Sequence, residues 1–98
     1  MIKINLSKNK VIISGHANFA DYGKDIVCAA VSSIVTTSVN DIYVINREAL
    51  NYNDDGKSIT IEIIKDDDLV YRILNNLQEL LINLSEDYPK NIKIERED

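Results

Sequence analysis

The chain has 98 residues, a single Cys and a formal net charge of −5 at pH 7. This length suits one compact domain with a modest core, so residues 1–98 are treated as a single domain. One Cys excludes an intrachain disulfide, and a free thiol is typical of a reducing compartment, so we expect a cytoplasmic protein. The negative charge argues against direct nucleic-acid binding, because phosphate contacts need clustered Lys and Arg.

No membrane or export segment is expected from the hydropathy pattern. The first residues, MIKINLSK, alternate apolar and polar side chains and contain no apolar signal-peptide region. The longest apolar run, residues 26–45, is interrupted by Asn40 and Asp41, which makes it a poor membrane span. We therefore expect no membrane partner.

The first two predicted elements form a hairpin. Ile2, Ile4 and Leu6 alternate with polar residues, as in a half-buried strand, and a β-branched run follows over residues 11–14. Residues 7–10 can turn between them. Gly15 ends the second strand, because a residue without Cβ lets the backbone bend or approach another group closely.

The remaining elements complete an α+β fold. A helix is predicted over residues 26–46, a possible short strand over 47–53, a strand over 58–65, a helix over 70–84 that stops before Pro89, and a strand around 92–94. The element order is β-β-α-β(-β)-α-β. We expect a mixed or antiparallel sheet of four to six strands with two helices packed on it.

Each predicted helix carries an apolar stripe. Acidic residues 66–68 favour the start of the second helix, since negative charge is stabilising at a helix N-terminus. The predicted stripe of the first helix is Val27, Val31, Ile34, Ser38, Ile42 and Ile45, and that of the second is Val70, Ile73, Leu74, Leu77, Leu80, Leu81 and Leu84.

The stretch from Gly15 to Ser33 holds the only His and the only Cys of the chain. Asp25 is a candidate N-cap, which would make Cys28 the third helical residue. Unpaired N–H groups and the helix dipole favour a thiolate there, and His16 at the preceding strand end could exchange its proton. The alternative is that Cys28 is a small, buried and inert apolar residue.

Other residues of this stretch are candidates for supporting roles. Ser32 lies one helical turn beyond Cys28 on the same face, and Asp25 could orient His16. One Cys and one His leave a metal short of ligands, so neither a metal nor another cofactor is expected. The loop between the two candidate groups either packs on the core or forms a lid over a substrate; its residues are Ala17, Asn18, Phe19, Ala20, Asp21, Tyr22 and Gly23.

The stretch resembles the signature of a known family, the ribosomal-processing cysteine proteases of the Prp or YsxB-like type. The resemblance covers the spacing between His and Cys and the Ser four residues after the Cys. The matching residues are Gly15-His16-Ala17, Tyr22-Gly23, Asp25-Ile26-Val27-Cys28-Ala29, Ser32 and Ser38-Val39-Asn40.

The resemblance implies a cysteine endopeptidase that removes the N-terminal extension of the large-subunit ribosomal protein L-twenty-seven during ribosome maturation. By position, Cys28 is the nucleophile and His16 the general base, with Asp25 and Ser32 near the site. The loop of residues 17–23 moves to admit the peptide, and the protein is a homodimer. The alternative hypothesis is a non-enzymatic, dimeric ribosome-assembly or protein-interaction module with an inert, buried Cys28.

Overall fold

The structure is a computed structural model and describes residues 1–15 and 26–97. The predicted order of elements is confirmed, and the possible short strand before the predicted strand of residues 58–65 is present. The elements are β1 (Ile2–Leu6), β2 (Lys10–Ser14), α1 (Ile26–Ile45), β3 (Leu50–Asp54), β4 (Ser58–Ile63), α2 (Asp68–Asp87) and β5 (Ile92–Arg96).

The strands form one mixed sheet in the order β3-β4-β2-β1-β5. β1 and β2 pair as the predicted antiparallel hairpin, closed by a 2.9 Å bond from the Ser7 N–H to the Lys10 carbonyl. β2 pairs antiparallel with β4, β4 with β3, and β5 runs parallel to β1. β3 and β5 are therefore the two edges of the sheet.

The core lies between one face of the sheet and the two helices. The alternation of β1 buries Ile2, Ile4 and Leu6 on this face, and Val11 and Ile13 of β2 lie opposite them. On the other face Lys10 lies across from Glu62 of β4 with a 3.8 Å ion pair. Among the described residues the sheet thus has one apolar face and one largely polar face, as expected of a mainly antiparallel sheet covered on one side.

The buried face of α1 differs from the predicted stripe. Val35 and Val39 are buried, whereas Ile34 is only partly buried and Ile45 is 39% exposed. Apolar residues lie on several faces of this helix, so periodicity alone does not identify the inward one. Packing against α2 and the sheet selects it; the buried residues are Val27, Val31, Val35, Ser38, Val39 and Ile42.

By length and composition, α1 is also the one helix among the described residues that could cross a membrane. Its mean hydropathy is 1.4, and 33% of the apolar window is buried within the protein. Asn40 and Asp41 thus do not lower its hydropathy as far as predicted. Core helices satisfy the same criterion, and the inward side chains of α1 belong to the core cluster.

The second helix extends beyond the predicted residues 70–84 at both ends, and its sequence explains both limits. The Asp67 carboxylate accepts hydrogen bonds from the N–H groups of Leu69 at 3.0 Å and Val70 at 3.3 Å, which is N-capping. The helix ends at Asp87, before Pro89. Its stripe is largely confirmed, with Val70, Leu74, Leu77 and Leu81 buried, but Leu80 is 39% exposed because it lies at the edge of the stripe.

Gly15 is required where β2 ends. Its φ is +79°, and a Cβ built on it would collide with the backbone carbonyl oxygen of Met1. The close approach brings the end of β2 against the start of β1. Gly56 has a similar φ of +85°, but a Cβ there would meet no atom within 4 Å.

Gly15 and Gly56 have similar φ values, but only Gly15 lies close to another backbone segment. Comparing their Ala variants therefore measures how much unfolding free energy depends on the close contact with Met1. We expect Gly56→Ala to cost about 1 kcal/mol of unfolding free energy, because its positive φ is strained for Ala. Gly15→Ala should cost about 3 kcal/mol, since overpacking against Met1 adds to the same strain. Urea unfolding of both variants measures the difference, and equal losses would contradict the close approach.

Candidate active site

A cleft of about 260 Å³ lies at one end of the sheet, where α1 begins. Several elements converge there, because β2 ends, β1 and β4 begin, and β3 turns into β4 at the same end. The described residues that line it are Ile2, Ile13, Gly15, Cys28, Val31, Ser32, Asp54, Gly56, Lys57, Ser58 and Ile59.

Cys28 and Ser32 form the helical side of this cleft. Cys28 is the third residue of α1, as predicted, and it is partly buried against the core. Ser32 lies four residues later and is exposed. Both line the cleft, so the expectation that they share a helix face is confirmed. N–H groups in the first turn of a helix have no intrahelical acceptor, which leaves them available to an anion near Cys28.

The β3–β4 turn forms the opposite side. The Asp54 carboxylate accepts a 2.9 Å bond from the Gly56 N–H. The Asp55 carboxylate accepts bonds of 2.8 Å from the N–H groups of both Lys57 and Ser58. The turn is thus tied by its own acidic residues, and this holds the Asp54 and Lys57 side chains at the cleft.

The predicted order of elements puts this turn between the strands of residues 47–53 and 58–65, but it does not place the turn beside Cys28. The signal that would have done so is the register of β2 against β4, in which Ser14 lies opposite Ser58. These strands are separated in sequence by α1 and β3. Their pairing is a long-range contact, which local periodicity does not encode.

Several predicted site residues lie outside the described part of the chain. They are His16, Asp25 and the loop residues Ala17, Asn18, Phe19, Ala20, Asp21, Tyr22 and Gly23. The described residues bordering this segment are Gly15, which lines the cleft, and Ile26, two residues before Cys28. Within residues 1–15 and 26–97, no three His, Cys, Asp or Glu side chains are grouped so that they could hold a metal ion.

The family to which the chain belongs follows from comparison with known proteins. The family model described as Cysteine protease Prp matches residues 1–93. The chain belongs to this family. A ribosomal processing cysteine protease Prp from Mycoplasma pneumoniae is 34% identical over 97% of this chain and 94% of its own length. One from Staphylococcus aureus is 33% identical over 96% of this chain and 97% of its own length.

A solved structure gives the same result at the level of the fold. The crystal structure of a ribosomal processing protease Prp from Staphylococcus aureus, in complex with a covalently linked product peptide, superposes with a TM-score of 0.88. It is 31% identical in sequence and covers 99% of this chain and 100% of its own. The mixed sheet with two helices is therefore the fold of the family.

Membership decides between the two hypotheses drawn from the sequence. The chain is an enzyme, a cysteine protease of ribosomal processing, which confirms the predicted activity and the family resemblance. The non-enzymatic module is set aside. The cleft is the described cavity that contains the chain's only Cys, which is the residue type such an enzyme requires.

The hydrogen bonds of the β3–β4 turn predict a pH effect on stability. Bonds from the Ser58 and Lys57 N–H groups hold the pKa of the Asp55 carboxyl below its ordinary value of 3.8. A folded-state pKa below the unfolded one gives stability that is present above pH 3.8 and is lost as pH falls through the lowered value. The destabilisation caused by Asp55→Ala should therefore be largest near neutral pH and should shrink in acid.

Urea unfolding at pH 7 and at pH values below 3.8 measures this change, with Asp41→Ala on the exposed face of α1 as the control. If the loss of unfolding free energy in Asp55→Ala is the same at pH 7 and in acid, the ionised Asp55 carboxylate does not stabilise the turn.

Proposed function

We propose that Cys28 is the nucleophile of this protease and that the substrate is the N-terminal extension of the large-subunit ribosomal protein L-twenty-seven. The observation that carries the first part is that the only Cys of the chain lies in the first turn of α1 and lines the cleft. A cysteine protease attacks with a Cys sulfur, and this chain offers one. The substrate assignment rests on the resemblance of residues 15–40 to the family signature.

The first chemical step forms an acyl-enzyme. His16 takes the proton of the Cys28 thiol, the Sγ attacks the scissile carbonyl carbon, and the carbonyl oxygen becomes an oxyanion. The N–H groups of the first turn of α1 donate to this oxygen, a role that needs preorganised donors where negative charge develops. His16 then protonates the leaving amine as the C–N bond breaks, which leaves a thioester on Cys28.

The second step releases the product. His16, now neutral, takes a proton from water, and the hydroxide attacks the thioester carbon. The C–S bond breaks and the Cys28 thiolate leaves. His16 directly follows Gly15, which lines the cleft, and this connection supports its assignment. Asp25 as a helix cap and orienting group, and Ser32 as a hydroxyl beside the sulfur, complete the proposed site.

Two variants test the chemistry. Cys28→Ala should abolish cleavage of a synthetic L-twenty-seven extension peptide, because no other sulfur can form the thioester. His16→Ala should slow it about 10²- to 10⁴-fold, which is the usual contribution of general acid–base catalysis. Mass spectrometry of the peptide after incubation measures both.

Lys8→Ala, at the β1–β2 turn, serves as the control, since Lys8 does not line the cleft. All variants should retain the wild-type urea midpoint within experimental error. Normal cleavage by Cys28→Ala would refute the nucleophile, whereas an intact peptide with wild-type enzyme would refute the substrate.

We also propose that the loop of residues 17–23 moves when the peptide enters. The protein is further proposed to act in the cytoplasm and to form a homodimer. Exposed apolar side chains at the end of α1 support the dimer. Val44 is 87% exposed and Ile45 39%, and covering them with a second copy would remove apolar surface from water.

The dimer predicts a concentration-dependent mass. Wild type should sediment as a dimer, and Val44→Asp should shift it toward monomer, because a charge would be buried without a partner. Asn76→Asp adds the same charge at an exposed position on α2 and should leave the dimer intact. A wild-type monomer at all concentrations, or an unaffected Val44→Asp dimer, would contradict this proposal.

A further inference from the structure

The free edge of β3 presents unpaired backbone groups, and the hydrogen-bond pattern identifies them. The Asp55 N–H donates to the Ser58 carbonyl at 3.1 Å, and the Ile64 N–H donates to the Ala49 carbonyl at 2.8 Å. In an antiparallel pair, residues that face the partner alternate with residues that face away. Residues 49, 51, 53 and 55 therefore bond to β4, and the N–H and C=O groups of Leu50, Tyr52 and Asp54 point outward.

The outward groups of Tyr52 and Asp54 are open. Both residues are exposed, and within residues 1–15 and 26–97 their backbone N–H and C=O groups make no hydrogen bond. The Asp54 side chain is occupied by the Gly56 N–H, but its backbone is not. An exposed row of such groups is a template on which an extended chain can add a strand.

This edge leads directly into the cleft. Asp54 is both the last residue of β3 and a lining residue of the cleft that contains Cys28. The other sheet edge, β5, contributes no lining residue among those described. A peptide laid along β3 would thus enter the cleft directly by continuing past Asp54.

We propose that the substrate peptide binds as an added strand on the outer edge of β3, held by the backbone groups of Tyr52 and Asp54, and enters the cleft at Asp54. This inference rests on the proposed function, because it assumes that Cys28 cuts the peptide. Strand addition gives affinity through main-chain hydrogen bonds, and alternate side chains of the guest determine specificity.

The side chains beside this edge suit an extended guest. Tyr52 lies on the helix-facing side of β3, since it pairs with the buried Ile61, and the residue is 38% exposed. Partial burial raises the pKa of the Tyr52 hydroxyl, and the nearby Asp54 carboxylate and Tyr43 raise it further. Tyr52, Asp54 and Tyr43 therefore lie close to one another. The peptide side chain that lies opposite Tyr52 would pack beside its ring, which provides an apolar face with a polar end.

A scan of backbone N-methyl groups along the synthetic L-twenty-seven extension peptide tests the added strand. Methylation removes one donor at a time, and only alternate residues of an added strand donate to β3. We expect kcat/KM to fall roughly three- to tenfold at every second position on one side of the cut and to change little between them. The loss should appear mainly in KM.

A pair of variants at Tyr52 tests the protein side. Tyr52→Pro removes an N–H that faces outward, so it costs no hydrogen bond to β4, and proline is tolerated at such edge positions. Tyr52→Ala keeps the N–H and removes the ring. We expect Tyr52→Pro to raise KM three- to tenfold beyond Tyr52→Ala. The N-methyl pattern should persist in this variant, because the carbonyl of residue 52 still accepts a peptide N–H. Ile94→Pro on the outer side of β5 is the matched control and should leave KM unchanged.

Each outcome bears on the proposal. Cleavage without an alternating pattern, or Tyr52→Pro equal to Tyr52→Ala in a folded protein, overturns it while leaving the protease intact. A change of sedimenting mass in Tyr52→Pro with unchanged KM overturns it in favour of a second copy of the chain on this edge. If wild type leaves the peptide uncut, the substrate assignment fails first and the added strand fails with it.

Discussion

The antiparallel pairing of β2 with β4 is the constraint on which the cleft depends. It sets Ser14 opposite Ser58, so the end of β2 and the start of β4 meet at one end of the sheet. Because the β3–β4 turn is attached to β4, the same register brings Asp54 and Lys57 to the cleft. A slip of one residue would turn the inward side chains of β4 to the polar face, so core burial holds the register and the register holds the cleft.

The first turn of α1 lies at the same end of the sheet and completes the cleft. α1 is held by apolar packing along its length, and this packing includes its first turn, where Val27 is buried next to Cys28. Cys28 is partly buried against the core, which fixes its backbone, while Ser32 one turn on is exposed in the cleft. A rigid helix thus presents the sulfur at its end, and such placement on a regular element is more precise than placement on a loop.

The parts of the fold that local pattern encodes were predictable. Local pattern identifies a single buried face in two elements. In β1 it is the alternation of Ile2, Ile4 and Leu6, and in α2 it is the leucine stripe. The inward face of α1 was not predictable, because Val35 and Val39 are no more apolar than Ile34 and Ile45, and tertiary contacts made the choice. The helical side of the site followed from Cys28 and Ser32, whereas the turn side needed long-range pairing. The pairing of His16 with Cys28 stays a prediction.

An open sheet edge is a hazard as well as a binding surface, and the composition of β3 bears on both. The strand has five residues, and four of them are exposed. Asn51, Asn53 and Asp54 are polar, which disfavours the stacking of flat apolar edges that leads to aggregation. Strand addition draws on backbone groups rather than side chains, so polar residues can discourage self-association and still leave the main-chain donors and acceptors available. A protease that must bind an extended chain, and must not bind itself along the same edge, gains from this separation.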